Sequence, residues 1–194
     1  MAKPIKSDTY VVVPGRFSYV HVFEKFSNIK GQDPKYSLML IIPKSDKATL
    51  AKLKKAIEAA KKQGVSSKWG GKLPKNLNIP LHDGDEDFPD VKDFENTYYL
   101  NASTTRKPSV VDNHLNEILD EDQVYSGCYG RISINMFPYD AAGNRGVSAG
   151  LNNVQWLRKG ERLDGGRTAN DDFDEVEDSF EDEEEEFDEL DMLG

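Results

Sequence analysis

A single cysteine, Cys128, leaves this 194-residue chain without an internal disulfide, which is the usage of a reducing compartment. No apolar run approaches the roughly 20 residues of a membrane span. The first ten residues, MAKPIKSDTY, lack the apolar stretch of a secretion signal. A cytoplasmic chain with no membrane partner is expected. His21 sits among aromatics with no second ligand at metal spacing, so a packed, hydrogen-bonded histidine is expected there. Bases are missing where acids are densest: residues 171–194 hold 15 Asp and Glu and no Lys or Arg. The other 20 acids face all 25 bases in residues 1–170, a body of net +5 within a chain of net −10. Such asymmetry suits a body that meets a polyanion and a tail that competes with it or recruits something else.

Two parts follow from this: a domain over 1–170 and an acidic, disordered tail over 171–194. Within the tail, Phe173, Val176, Phe180, Phe187 and Leu190 recur at intervals of three, four or seven. That spacing suits an amphipathic helix or short acidic-hydrophobic motifs on a partner protein. Phe180, Phe187, Leu190, Met192 and Leu193 are the candidate docking residues.

The body reads as mainly β. Tyr125–Phe137 alternates strictly. Its Cys128, Ile132, Ile134 and Met136 suit a core, and Tyr125, Tyr129, Arg131, Ser133 and Asn135 share the other face. Gly146–Leu157 is its expected hairpin partner. Tyr10–Val13 and Arg16–Phe26 are extended runs broken by Pro14-Gly15, a bulge or corner of a small barrel. Lys35–Ile42 and Thr97–Ser103 are further strands, and Pro108–Asp112 a short return. Ser45–Lys62 is the one clear helix. Leu50, Leu53, Ile57 and Ala60 form its apolar stripe, Ser45 its N-cap and Gly64 its C′ residue. Its exposed side is lysine-rich.

An outward face of aromatic, polar and cationic side chains is the chemistry of a single-stranded nucleic-acid platform, where rings stack on bases and cations meet phosphates. Tyr125, Tyr129 and Arg131 supply it on one strand, and Tyr99 and Asn101, followed by Arg106 and Lys107, on another. Trp69 lies in a Gly-rich loop with Lys68 and Lys72. The residues leave two readings of it open, a base-stacking ring over the groove or a plug for the end of the core. The run HDGDEDFPD does not match a calcium loop and reads as a solvated acidic loop. Asp83, Asp85 and Glu86 keep a metal-dependent nuclease in view as a rival, and a protein-only adaptor acting through the tail is another.

The segments SYVHVFE, YSLMLIIPKSDKATLAKLKKAIEAA, KWGG, LHDGDE, NASTTRKPSVVD, YSGCYGR and AGLNNVQWL occur in this order over residues 10–170. Together they resemble the phage single-stranded DNA-binding proteins first catalogued as a domain of unknown function. The resemblance implies an OB-fold, here elaborated because the helix follows the second strand. It implies sequence-independent binding of single-stranded DNA in phage replication or recombination, within the bacterial host cytoplasm. By analogy, the tail occupies the DNA groove when DNA is absent and recruits phage or host replication and recombination proteins. The expected protein is a binder without catalysis, cofactor or resident metal, and a homodimer is left open.

Overall fold

The computed structural model describes residues 7–163; the expected acidic tail at 171–194, with its docking residues, lies outside them. The elements run β1 (Tyr10–Phe26), β2 (Lys35–Pro43), α1 (Lys47–Ser67), β3 (Leu81–Asp83), α2 (Gly84–Asp87), β4 (Thr97–Thr104), β5 (Ser109–Val111), β6 (Tyr129–Ala141) and β7 (Asn144–Arg158). β1 pairs antiparallel with β2 and β6, β2 with β4, and β6 with β7. A short parallel contact, Ala102↔Ala149 and Ser103↔Gly150, joins β4 to β7. The ring β1-β2-β4-β7-β6 is thereby closed. That strand order, with its single parallel closure, is the Greek-key barrel of the OB-fold, and α1 is inserted between the second and third barrel strands. β3 and β5 are short additions on β4 and β7. β5 therefore lies along β7 and is not a return against β4.

The interior follows strand alternation. Val13, Phe17, Leu40, Ile42, Leu100, Ile132, Ile134 and Met136 are all buried in one cluster. Cys128 joins them, and burial pushes its thiol up to about 11, so it is a packing residue. β1 departs from expectation. It runs unbroken through Pro14-Gly15, where the absent side chain admits close neighbours. A Cβ on Gly15 would lie 2.7 Å from both the Ile41 carbonyl and the Leu40 side chain. The bend comes later, where register shifts between Ser18 and His21 and Tyr19 takes φ 45°. A bulge there raises local twist and lets one long strand pair with β6 along its first half and with β2 along its second.

α1 packs Leu50, Leu53, Ala56, Ile57 and Ala60 into the same core, most heavily against β6. Asp46, not Ser45, is its cap, accepting from the Thr49 N–H at 3.2 Å and the Thr49 hydroxyl at 2.7 Å. Gly64 lies inside the helix instead of ending it. A Cβ at Gly64 would stand 2.5 Å from the Trp69 ring and 2.7 Å from Pro138. That glycine makes room for the indole against the last turn of the helix.

Candidate nucleic-acid interface

β4 and β6, the strands expected to carry the platform, are not neighbours; β2 and β1 lie between them. Register nevertheless puts their outward residues on one continuous surface. Tyr129 pairs with Arg16, Arg16 with Ile41, and Ile41 with Tyr99. A second row runs Ser18–Met39–Asn101, and a third His21–Ser37–Ser103.

The segment from α2 to β4 covers the middle of this surface. Tyr99 is buried beneath it with Met39, Ile41 and Phe94, and Phe88 and Leu163 pack on the same group. The Tyr99 ring stacks on His82 at 5.0 Å and meets Phe88 and Phe94 edge-on. Its hydroxyl donates to Asp87 at 2.7 Å. Burial, reinforced by the Asp87 carboxylate, pushes its pKa up to about 12. Tyr99 faces outward as alternation requires, yet it has no free face for a base. The Tyr99 ring and hydroxyl are both committed within the fold.

Beside this covered patch the same surface opens into a cleft of about 760 Å³. Tyr19, His21 and Phe26 of β1 form one wall, Phe88 the opposite side, and Ser37, Met39, Asn101 and Ser103 the floor. Residues 27–34, joining β1 to β2, close one end. Tyr19 is 58% exposed and Phe26 48%. The His21 ring stacks on Phe26 with centroids 4.1 Å apart and planes 7° from parallel. Partial burial lowers the His21 pKa, so the imidazole is neutral at neutral pH. Its packing partner is thus a ring, and the pair forms a flat apolar step. Lys25, Lys30 and Lys35 are exposed around the loop end of the cleft, and the Lys25 ammonium lies 5.7 Å over the Tyr36 ring.

The remaining expected residues are scattered. Asn101 lies exposed on the cleft floor. Arg106 and Lys107 are exposed in the turn after β4. Arg131 is exposed on β6, with its Nε donating to the Gln155 side chain. Tyr129 is flanked by the guanidinium groups of Arg158 at 3.9 Å and Arg16 at 5.5 Å, beyond the covered patch as seen from the cleft. Tyr125 precedes β6 and anchors the exit of the chain. Its hydroxyl donates to the Gly160 carbonyl at 2.7 Å and accepts the Gly160 N–H at 3.1 Å, with Arg162 4.5 Å over its ring. A tyrosine used on three sides fastens the exit of the chain to the barrel. Trp69 settles into the second of its two readings. It is 6% exposed, and its indole N–H donates to the Tyr139 carbonyl at 3.2 Å. Lys68 and Lys72 stay exposed on either side of it.

The acidic run is an intramolecular clip, not a solvated loop. The Lys44 ammonium lies 2.8 Å from Asp83 and 2.7 Å from Asp85. It holds both carboxyls below their ordinary range and is itself raised. Asp83 also caps α2, and Asp85 accepts the Asn96 N–H at 2.9 Å. A lysine ammonium thus occupies the place between these carboxylates that a nuclease metal would need. Among the described residues no group of three or more His, Cys, Asp and Glu is arranged to hold a metal ion, and no helix is long and apolar enough to cross a membrane.

Sequence reasoning did not single out Tyr19, Phe26, Met39 and Phe88, which line the cleft. An Arg16–Phe26 run with aromatics on both faces was the available signal, since a strand cannot bury both faces at a barrel rim.

The family model described as Enterobacter phage Enc34, ssDNA-binding protein, matches residues 9–187. The chain is 32% identical over 173 residues to putative protein p50 of Acyrthosiphon pisum secondary endosymbiont phage 1, covering 83% of this chain and 90% of that protein. The structure of the single-stranded DNA-binding protein from bacteriophage Enc34 in complex with ssDNA aligns with TM-score 0.72 and 25% identity, over 84% of this chain and 96% of that one. The crystal structure of gp2.5, a single-stranded DNA-binding protein encoded by bacteriophage T7, shares the fold, with TM-score 0.59 and 16% identity over 90% of this chain and 98% of that one.

Proposed function

This chain belongs to the family of the Enterobacter phage Enc34 ssDNA-binding protein, and on that footing we propose that it binds single-stranded DNA without reading sequence, in the cleft between the β1 bulge and the outer face of β2 and β4. One observation carries the reading. The open cleft lies on the second and third barrel strands beside the first connecting loop, the surface on which OB barrels take oligonucleotides, and it presents exposed rings over a floor of Ser37, Asn101 and Ser103 with Met39. Tyr19 and the His21–Phe26 pair stack bases. Asn101, Ser37 and Ser103 offer hydrogen bonds. Lys25, Lys35, Arg106 and Lys107 meet phosphates around the cleft, and Lys68, Lys72 and Arg131 meet them further along the surface. Stacking accepts every base because every base has a π-face.

No bond is made or broken in this function, so the protein is a binder and not an enzyme. Its setting is phage DNA replication or recombination in the bacterial host cytoplasm. Residues 171–194, as a tail appended to a 1–170 domain, compete through their 15 carboxylates for the cations that DNA needs, and Phe180, Phe187, Leu190, Met192 and Leu193 recruit partner proteins.

Anisotropy of a labelled oligothymidylate, set against a duplex of equal length, tests the binding. Tight, salt-sensitive binding of the single strand is expected, and no response to it at low salt would overturn the reading. Tryptophan quenching is a poor probe, because Trp69 is buried at the far end of α1 and Trp156 packs against the core. Deleting 171–194 tightens binding, most at low ionic strength; equal affinity there with and without the tail would end the competition model.

A further inference from the structure

The cleft has an open side. Ser103 on its floor pairs with Gly150 of β7, and Gly150 pairs with Asn135 of β6. With no side chain at Gly150, nothing rises between Ser103 and β6. A Cβ there would lie 3.5 Å from the Asn135 carbonyl and 3.5 Å from the Phe137 ring. Phe137 is 45% exposed, on the outward face of a strand whose inward residues fill the core. A ring so exposed keeps surface open to a further ring.

α1 packs against the opposite, inward face of β6, so a strand leaving Phe137 reaches it by passing round the end of the β6–β7 hairpin. Pro138 lies over Gly64, and the Trp69 indole bonds Tyr139, so the β6–β7 hairpin is fixed to the C-terminal end of the helix. Lys54, Lys61 and Lys68 follow one another at intervals of seven residues. Lys54 and Lys61 therefore lie on one side of the helix, about 10.5 Å apart, and Lys68 follows as the residue that caps the helix beyond Ser67. From Lys47 to Gln63 the helix carries six lysines and one acid, Glu58. A surface helix selected only for solubility gains by alternating charges at i,i+4, and this one forgoes nearly all such pairs. Glu58 meets Lys61 at 2.9 Å, an exposed pair that a polyanion can displace at little cost.

We infer that the DNA strand does not end in the cleft but continues across Gly150, stacks a base on Phe137 and runs its phosphates past Lys54, Lys61 and Lys68. The inference rests on the single-stranded DNA reading and extends its footprint. Longer strands should therefore gain affinity that a strand filling only the cleft lacks.

The test compares an oligothymidylate of about 8 nucleotides, within the range one OB barrel occludes, with one of roughly 30. In the full-length protein, Phe137→Ala weakens the long strand by about five- to a hundredfold and leaves the short one unchanged, and Phe137→Trp restores the long strand. Lys54→Gln/Lys61→Gln/Lys68→Gln flattens the salt dependence of the long strand by about two units of slope, at roughly 0.7 per phosphate contact. Circular dichroism melts confirm that each variant is folded. Equal loss on both lengths, or loss on neither, overturns the extended path while leaving the cleft intact. If the unaltered protein binds neither length, the single-stranded DNA reading itself falls.

Discussion

Two aromatic groups share the outer face of β2 and its neighbours, and they have opposite fates. Tyr99 and Phe94 are buried by the segment between β3 and β4 and meet edge to face, with Phe88, which also borders the cleft, packed against both. Tyr19, His21 and Phe26 stand beside them on the β1 bulge and remain open. Both groups point away from the barrel, and both combine rings with polar neighbours. They differ in what the chain lays over them. A ring with its hydroxyl committed and its faces covered holds a loop in place. A stacked pair with solvent above it can accept a further ring. Outward orientation is therefore necessary for a binding platform but far from sufficient.

The sharpest way to break this comparison is to truncate both groups. Tyr99→Ala should cost about 3–5 kcal/mol of stability, as for other buried aromatics, seen as a lowered urea midpoint. The protein that remains folded should bind single strands normally. Tyr99→Phe removes only the bond to Asp87 and should cost about 1 kcal/mol. If Tyr99→Phe weakened DNA at unchanged stability, the covered group would be part of the interface after all.

The open group should behave in the opposite way. Tyr19→Ala and Phe26→Ala should each lose about 1–3 kcal/mol of single-strand affinity with little change in melting. Tyr19→Gly sharpens the contrast, because Tyr19 holds φ 45°, a region that glycine enters freely. That variant should bind poorly yet melt no lower than the native protein. A fall in its melting temperature would mean the ring is structural.

Acid should loosen the covered side selectively. Asp83 and Asp85 are held below the ordinary 3.8 by hydrogen bonds from Lys44. A depressed carboxyl contributes stability that is complete above its unfolded value and is lost as pH falls through the folded one. The window therefore lies below about pH 4. Lys44→Met should flatten the dependence of melting temperature on pH there, and an unchanged profile would show that the clip carries no linkage. The smallest effect is expected at Arg131→Gln, which should reduce the salt slope for the single strand by about 0.7.

Much of the barrel could be read from the chain. Cys128, Ile132, Ile134 and Met136 are all within 1% of complete burial, as strand alternation requires, and the apolar stripe of α1 lies where helical spacing puts it. Alternation also turned Tyr99 outward correctly. It could not reveal the cover, which comes from residues 84–96 folding back over β2 and β4, a tertiary event with no local pattern. The anchoring of Tyr125 was hidden for a related reason, since its partner Gly160 lies 35 residues later. Trp69 was more accessible than it looked. A glycine five residues earlier, in a stretch otherwise fit for helix, is a socket as readily as a stop. The β1 bulge escaped because Pro14-Gly15 offered a more conspicuous interruption, while Tyr19, which takes the strain, is a residue that strands normally favour.

The barrel closes through two residue pairs, Ala102↔Ala149 and Ser103↔Gly150, against the long antiparallel ladders elsewhere. So short a seam is where local opening costs least, and backbone amides beside it should exchange with solvent sooner than those of the β1–β6 ladder. The cleft floor ends on one side of that seam, at Ser103. A bound strand that crosses it would act as a staple, and slowed deuterium uptake at Ala149 and Gly150 would record its passage without any label on the DNA.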